Sequence, residues 1–173
     1  MHSSGMNWEK TRPKPVLYLE CSRRGNHSTK NLPKSGESMD RLYLDTNVLL
    51  DVLEKRKPWF PESSACLSRV ESGRCKGAVS AITLSDISYI QKGTATEVLY
   101  GAFCKLRSFL AVAPIDQRVV DSALARALPD MEDGFQLEAA LSWRATHLIT
   151  RNERHFPSAP GLLVMSPARY LSR

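Results

Sequence analysis

Short apolar runs alternate with helical stretches over residues 41–165 of this 173-residue chain, and the alternation constrains the fold. Apolar strands that are separated by helices are typical of a parallel sheet covered on both faces. We therefore expect an α/β protein, a three-layer α/β/α sandwich around a central, mostly parallel sheet of about five strands. The predicted strands are 41–44, 77–82, 111–115, 147–150 and 162–165, and the predicted helices are 46–55, 62–72, 84–90, 96–110, 117–128 and 132–145.

Residues 1–38 lack this pattern and are predicted to be a disordered lead-in. They hold seven lysines and arginines and three acids, so most of the net charge of +6 lies there. Residues 39–173 are close to neutral and are expected to form one domain, with Met39 as a candidate natural start. Nucleic acid would then bind to this domain through a local cluster of basic residues and not through the net positive charge of the whole domain.

Four cysteines, no candidate membrane span and no secretory signal favour a cytoplasmic protein. No run approaches the roughly 18 apolar residues that a membrane span requires, and the start of the chain lacks the apolar centre of a secretory signal. No two cysteines are spaced as Cys-x-x-Cys, so we expect reduced thiols and neither a zinc site nor a redox pair. The cysteines are Cys21, Cys66, Cys75 and Cys104.

Three acids fall where the predicted topology places the carboxyl edge of the sheet, the edge at which open α/β folds bind ligands. Asp45 directly follows the first strand. Asp86 is predicted in the first turn of the helix after the second strand, with Thr83 as its N-cap. Asp133 begins a helix that must run down to the opposite edge, because only Thr146 separates that helix from the fourth strand.

Each acid alone has an ordinary explanation, since aspartate caps helices and favours their positive end. Asp51 is likewise expected to be a surface charge or a cap. Three clustered carboxylates are different, because they repel one another unless a cation neutralises them. Hard oxygen ligands suit Mg²⁺ or Mn²⁺, and such ions activate water against phosphodiesters. The pattern therefore indicates a metal site at Asp45, Asp86 and Asp133.

Four segments in this order resemble the motifs of PIN-domain ribonucleases along residues 41–171. Each segment alone is a weak signal, but the four together are fairly specific. They are Leu44-Asp45-Thr46-Asn47-Val48-Leu49-Leu50-Asp51, Ile82-Thr83-Leu84-Ser85-Asp86, Asp130-Met131-Glu132-Asp133-Gly134-Phe135-Gln136, and Ile149-Thr150-Arg151-Asn152 followed by Phe156.

The resemblance implies an endoribonuclease that depends on Mg²⁺ or Mn²⁺ and has the α/β/α fold expected above. It implies that Asp45, Asp86 and Asp133 are the metal ligands and that Asn47 and Thr150 orient them or their water. It also implies the toxin of a toxin–antitoxin pair of the VapC type, with RNA as the substrate and an antitoxin protein as the partner.

Two positions depart from the family pattern. The second acid is commonly Glu and here is Asp86, whose side chain is one methylene shorter. The fourth position is often Asp and here is Asn152, which removes a negative charge for which Asp130 is a candidate to compensate. These departures motivate an alternative, a catalytically degenerate PIN-like module that binds RNA or protein. A metal-dependent phosphatase is a more distant third reading.

Basic and aromatic residues near the predicted site are candidates for partner contacts. Arg151, Arg154 and His155 follow the fourth strand and are expected to contact RNA, with His155 as a candidate general acid. Trp59 and Phe60 follow Pro58 and are either core residues or a patch that an antitoxin or a second subunit covers. We expect a homodimer.

Overall fold

The structure, a computed structural model, describes residues 39–173, so the predicted lead-in and Cys21 lie outside it. This range forms five strands and seven α-helices, with two helices after each of the first three strands. The strands are β1 Arg41–Leu44, β2 Lys76–Ser80, β3 Leu110–Ala113, β4 His147–Ile149 and β5 Leu163–Met165. The helices are α1 Thr46–Leu53, α2 Phe60–Glu71, α3 Ala81–Ile90, α4 Thr96–Arg107, α5 Gln117–Arg126, α6 Met131–Ser142 and α7 Pro167–Leu171. Over the described residues no helix combines the length and the apolar character needed to span a membrane.

The five strands form a single sheet in the order β3-β2-β1-β4-β5, and every pairing is parallel. In the central strand, Leu42 lies opposite Gly77 of β2 and His147 of β4. All strands therefore end at the same edge, with β1 between β2 and β4. The parallel sheet predicted from the sequence is confirmed.

Successive side chains of β1 point to opposite faces of the sheet, and each face has its own apolar core. Leu42 and Leu44 pack on one side with residues of α1, α2, α3, α4 and α7. Tyr43 packs on the other side with Leu137 and its neighbours in α5 and α6. Helices therefore cover both faces, which confirms the predicted three-layer sandwich.

The second strand is shorter than predicted. It ends at Ser80, whose hydroxyl caps α3 by accepting the Thr83 amide at 3.2 Å, so Thr83 is not the N-cap. The β-branched residues Ile82 and Thr83 favour a strand locally, but the cap draws them into the helix. Asp86 is consequently in the second turn of α3 and not in its first.

Two further differences concern short elements. The helix predicted to end at Leu110 ends at Arg107, because Leu110 pairs with Gly77 at the start of β3. Helix α7 was not predicted, since five residues are too few to show a helical period. Its signal is the cap: Ser166 accepts the Arg169 amide, and Pro167 occupies the first helical position.

The cysteines differ in accessibility. Cys104 is exposed, whereas Cys66 and Cys75 are buried, and burial raises the pKa of their thiols to about 12 and about 11. In a Cys21→Ser chain we therefore expect Ellman's reagent to titrate only Cys104 in the native state and three thiols after unfolding. Rapid reaction of a second thiol under native conditions would contradict this burial pattern.

Candidate metal centre

Asp45 lies at the carboxyl edge of β1, and neighbouring strands hold its side chain. Its backbone amide donates to the carbonyl of Ile149 at 3.0 Å, which joins it to the end of β4. It occupies the N-cap position of α1, but its side chain makes no capping hydrogen bond within residues 39–173. Instead Oδ2 accepts from the Thr150 hydroxyl at 2.6 Å and from Nδ2 of Asn47 at 2.5 Å. Capping therefore does not explain this carboxylate.

Asn47 and Thr150 fix this arrangement. Nδ2 of Asn47 also lies 3.1 Å from Oγ1 of Thr150, and its Oδ1 accepts the Arg151 amide at 3.2 Å. The Asn152 amide donates to Oγ1 of Thr150 at 3.0 Å, although Asn152 itself is exposed. The structure thus brings Asn47 and Thr150 onto Asp45, whereas Asn152 reaches it only indirectly.

Asp45 is only 6 % exposed, and this burial raises its pKa. The Thr150 hydrogen bond opposes the increase, and the nearby charge of Asp133 adds to it. A buried carboxylate with a second carboxylate nearby is stabilised in its charged form by a bound cation.

Asp86 pairs with an acid that the sequence analysis did not select, Glu132 in the first turn of α6. The pKa of Glu132 is raised to about 7, first by desolvation of the carboxylate and then by its hydrogen bond with Asp86 and the charge of that residue. Oδ2 of Asp86 is buried with no hydrogen-bond partner among the described residues. The sequence feature that could have identified Glu132 as a site residue is its place directly before Asp133, at the start of a helix on the edge that carries the acids.

Asp133 contacts a histidine. Its Oδ2 lies 3.0 Å from Nδ1 of His155 in the turn after β4. Burial and the charge of Asp130 raise the Asp133 pKa, and His155 opposes the increase. Asp130 is the N-cap of α6 and accepts the Glu132 amide at 2.9 Å, which gives it a structural role.

The donor chemistry of this edge fits a hard divalent cation, although its side chains are not grouped around one point. No set of three or more His, Cys, Asp or Glu side chains in residues 39–173 is arranged to hold a metal ion. Charge interactions nevertheless link Asp45 with Asp133 and Glu132, and Glu132 with Asp86, whose buried Oδ2 has no hydrogen-bond partner among the described residues. Binding of one metal ion between these carboxylates would require the Asp133 and Glu132 side chains to turn from their present partners.

The Arg151 side chain is held by contacts within the protein, and one of these contacts is with Asp51. The expectation that Asp51 is a surface charge or a cap is wrong, because Asp51 is fully buried in α1 and accepts the Ser63 hydroxyl at 3.0 Å. Nε of Arg151 lies 3.4 Å from Oδ2 of Asp51, and its guanidinium lies over the Trp59 ring. Arg154 is exposed beside the site.

The buried side-chain amide of Gln136 connects the elements that carry the acids. Gln136 of α6 is 1 % exposed and accepts the Tyr43 hydroxyl at 2.5 Å and the Ser80 hydroxyl at 3.2 Å. Its Nε2 lies 3.1 Å from Oγ1 of Thr83 and 3.2 Å from Oγ1 of Thr46. One side chain thereby joins β1, the β2–α3 junction, α1 and α6 beneath the acids.

The raised pKa of Glu132 predicts a pH dependence of stability in EDTA. Because the folded chain holds this proton more tightly than the unfolded chain, stability from this group is lost as pH rises from 4.5 to about 7. Glu132→Gln should remove that loss. The thermal midpoint of the variant should therefore rise relative to that of the wild type as the pH increases over this range. Parallel pH profiles of the two proteins would count against the Asp86–Glu132 pairing.

Comparison with known proteins agrees with this architecture. A family model for the PIN domain matches residues 41–154, more than half of the chain. The chain therefore belongs to the PIN-domain family, as the four motifs had indicated.

Solved structures with a similar fold include the following two. A toxin–antitoxin complex from Klebsiella pneumoniae contains a chain that is 23% identical, with a TM-score of 0.55 over 73% of this chain and 97% of that one. VapBC2 from Rickettsia felis, bound to a DNA fragment from its promoter, contains a chain that is 16% identical, with a TM-score of 0.53 over 72% and 96%. None of the curated proteins compared matches the chain.

Proposed function

We propose that this chain is a metal-dependent endoribonuclease and the toxin of a toxin–antitoxin pair. The observation that carries the proposal is the position of Asp45, which Asn47 and Thr150 hold at the carboxyl edge of the sheet, with the charges of Asp133 and Glu132 nearby. Membership of the PIN-domain family supports a nuclease, and residues 39–173 form the proposed nuclease domain.

Asp45, Asp86 and Asp133 are the proposed ligands of Mg²⁺ or Mn²⁺, with Glu132 as a fourth carboxylate. When bound, such an ion activates water and stabilises developing charge on a phosphodiester. Asn47 and Thr150 orient Asp45 through the hydrogen bonds to its Oδ2. Asp130 caps the start of α6 and thereby fixes the position from which Asp133 would reach the proposed metal ion.

Basic residues at the same edge are proposed to position the RNA. Arg154 is exposed and can contact a phosphate. His155 shares a hydrogen bond with Asp133 and can hold a proton for the leaving oxygen.

Structures with a similar fold support the proposal of an antitoxin partner. One is a toxin–antitoxin complex, and the other is a VapBC complex on promoter DNA. We propose an antitoxin partner for the present chain by this likeness, and we propose separately that the chain is a cytoplasmic homodimer. Co-expression with the product of an adjacent gene, followed by co-purification, tests the partner.

Cleavage of purified RNA tests the activity. Incubation with Mn²⁺ should give discrete fragments, and EDTA should prevent their formation. RNA that stays intact with a folded protein and Mn²⁺ would contradict the proposed activity. The fragment ends would identify the sites of cleavage.

A non-catalytic PIN-like module is the second candidate. It is favoured by the absence, among residues 39–173, of a ready-made acidic group for a metal and by Asn152 in the fourth position. Such a module would bind RNA or protein with no metal-dependent cleavage.

A further inference from the structure

Trp59 is an exposed tryptophan close to the proposed site. Its neighbour Phe60 packs partly against the core, whereas Trp59 is 45 % exposed. The Arg151 guanidinium carbon lies 4.3 Å from the centroid of the Trp59 indole. The proposed catalytic chemistry uses neither group in this arrangement, so the pair requires its own explanation.

The position of the indole is fixed relative to Asp45. The Arg151 amide donates to Asn47, which itself donates to Asp45. At the other end of Arg151, Nε lies 3.4 Å from the fully buried carboxylate of Asp51. An extended arginine side chain spans about 7 Å at ordinary bond lengths, so the ring lies near enough for one strand of RNA to contact both places.

The surroundings of the ring favour a nucleic acid over an apolar protein surface. Lys57, two residues earlier in the chain, is exposed, and Arg151 lies beside the ring. Protein interface cores are depleted of charged residues, whereas single strands bind where basic groups track the backbone and aromatic rings stack on bases. Two other exposed aromatic residues, Tyr89 and Tyr100, belong to α3 and α4 and not to this loop.

We propose that Trp59, steadied by Arg151, is a stacking platform for a base of single-stranded RNA beside the acidic edge. This inference rests on the proposed function and assigns to that site a subsite that binds an unpaired base. The ring would hold the strand in register with Asp45, and any base could occupy it, because every base has a π-face.

Binding of a short fluorescein-labelled single-stranded RNA in EDTA tests the platform without cleavage. Loss of one stacked base should make the dissociation constant of Trp59→Ala about 5- to 150-fold larger than that of the wild type. Trp59→Phe should recover most of the affinity. Tyr100→Ala, which removes another exposed aromatic ring, should bind as the wild type does.

A second readout separates stacking from a structural role. In a Trp8→Phe, Trp143→Phe chain, Trp59 is the only tryptophan, and unlabelled RNA should quench its fluorescence with the same dissociation constant. Unchanged RNA affinity in Trp59→Ala would overturn the inference, and so would an equal loss in Tyr100→Ala. A change only in oligomeric mass or in antitoxin binding would overturn it in favour of a protein contact.

The outcomes distinguish this inference from the proposed function. Mn²⁺-dependent cleavage by a wild type whose RNA affinity does not depend on Trp59 would overturn the platform alone. Binding that depends on Trp59, with no cleavage in Mn²⁺, would support the platform and contradict the nuclease. A wild type that neither binds nor cleaves RNA would overturn both.

Discussion

Replacing Asp45 with asparagine should abolish RNA cleavage, with a rate at least about 1,000-fold below that of the wild type, because several kcal/mol of charge stabilisation at the metal are lost. The substitution keeps the size of the side chain and an oxygen that can accept from Thr150 and Asn47. It removes the negative charge that the proposed cation requires. The measurement is the initial rate on end-labelled RNA in Mn²⁺.

The same variant should be at least as stable as the wild type when metal is removed. Burial raises the Asp45 pKa, so the ionised carboxylate costs stability at neutral pH, and asparagine carries no such cost. Asp121→Asn, on the exposed surface of α5, is the matched control and should change neither rate nor stability. Full activity in Asp45→Asn, or loss of activity through unfolding, would remove the support for this site.

Replacing Gln136 with leucine should destabilise the protein by about 3–5 kcal/mol, since several buried hydroxyls lose a partner and each such loss costs about 1–3 kcal/mol. Leucine is similar in size, so the loss reports hydrogen bonding more than packing. The hydroxyls of Ser80 and Thr83 lie 3.3 Å apart and can partly compensate each other, whereas the hydroxyls of Tyr43 and Thr46 each lose their contact with Gln136. Urea unfolding at constant pH measures the difference.

The control for Gln136→Leu is the same substitution at Gln117, which is exposed at the first position of α5. It should change the unfolding free energy by no more than about 0.5 kcal/mol. A loss below about 1 kcal/mol for Gln136→Leu would show that water or a rearrangement satisfies the hydroxyls. The claim that the hydrogen bonds of Gln136 hold together the elements that carry the acids would then be wrong.

The positions of the acids along the sheet were predictable because chain order and strand direction decide them. Once the strands are parallel, Asp45 and Thr150 must lie on the same edge, and the short link at Thr146 orients α6. Their direct contact depends in addition on the pairing of β1 with β4, which the sequence did not predict. The second strand was less predictable, since the intrinsic preference of Ile82 and Thr83 for strands competes with the Ser80 cap. Tertiary packing decided that boundary.

The contacts between side chains could not be predicted from spacing. Asp51 was expected at the surface, yet helix packing buries it against Ser63 and near Arg151. The partner of Asp133, His155, is 22 residues away in the chain. Such contacts depend on the rotation of each helix about its axis, which hydrophobic periodicity fixes only coarsely.

The central claim, that the carboxylates at this edge bind a divalent cation, is tested most directly by calorimetric titration of Mn²⁺ into metal-free protein. The account predicts saturable binding by the wild type and by Asp121→Asn, and loss of that binding in a folded Asp45→Asn. Binding that is equally strong in Asp45→Asn would place the ion elsewhere. No binding by the folded wild type would contradict the claim and favour the non-catalytic module.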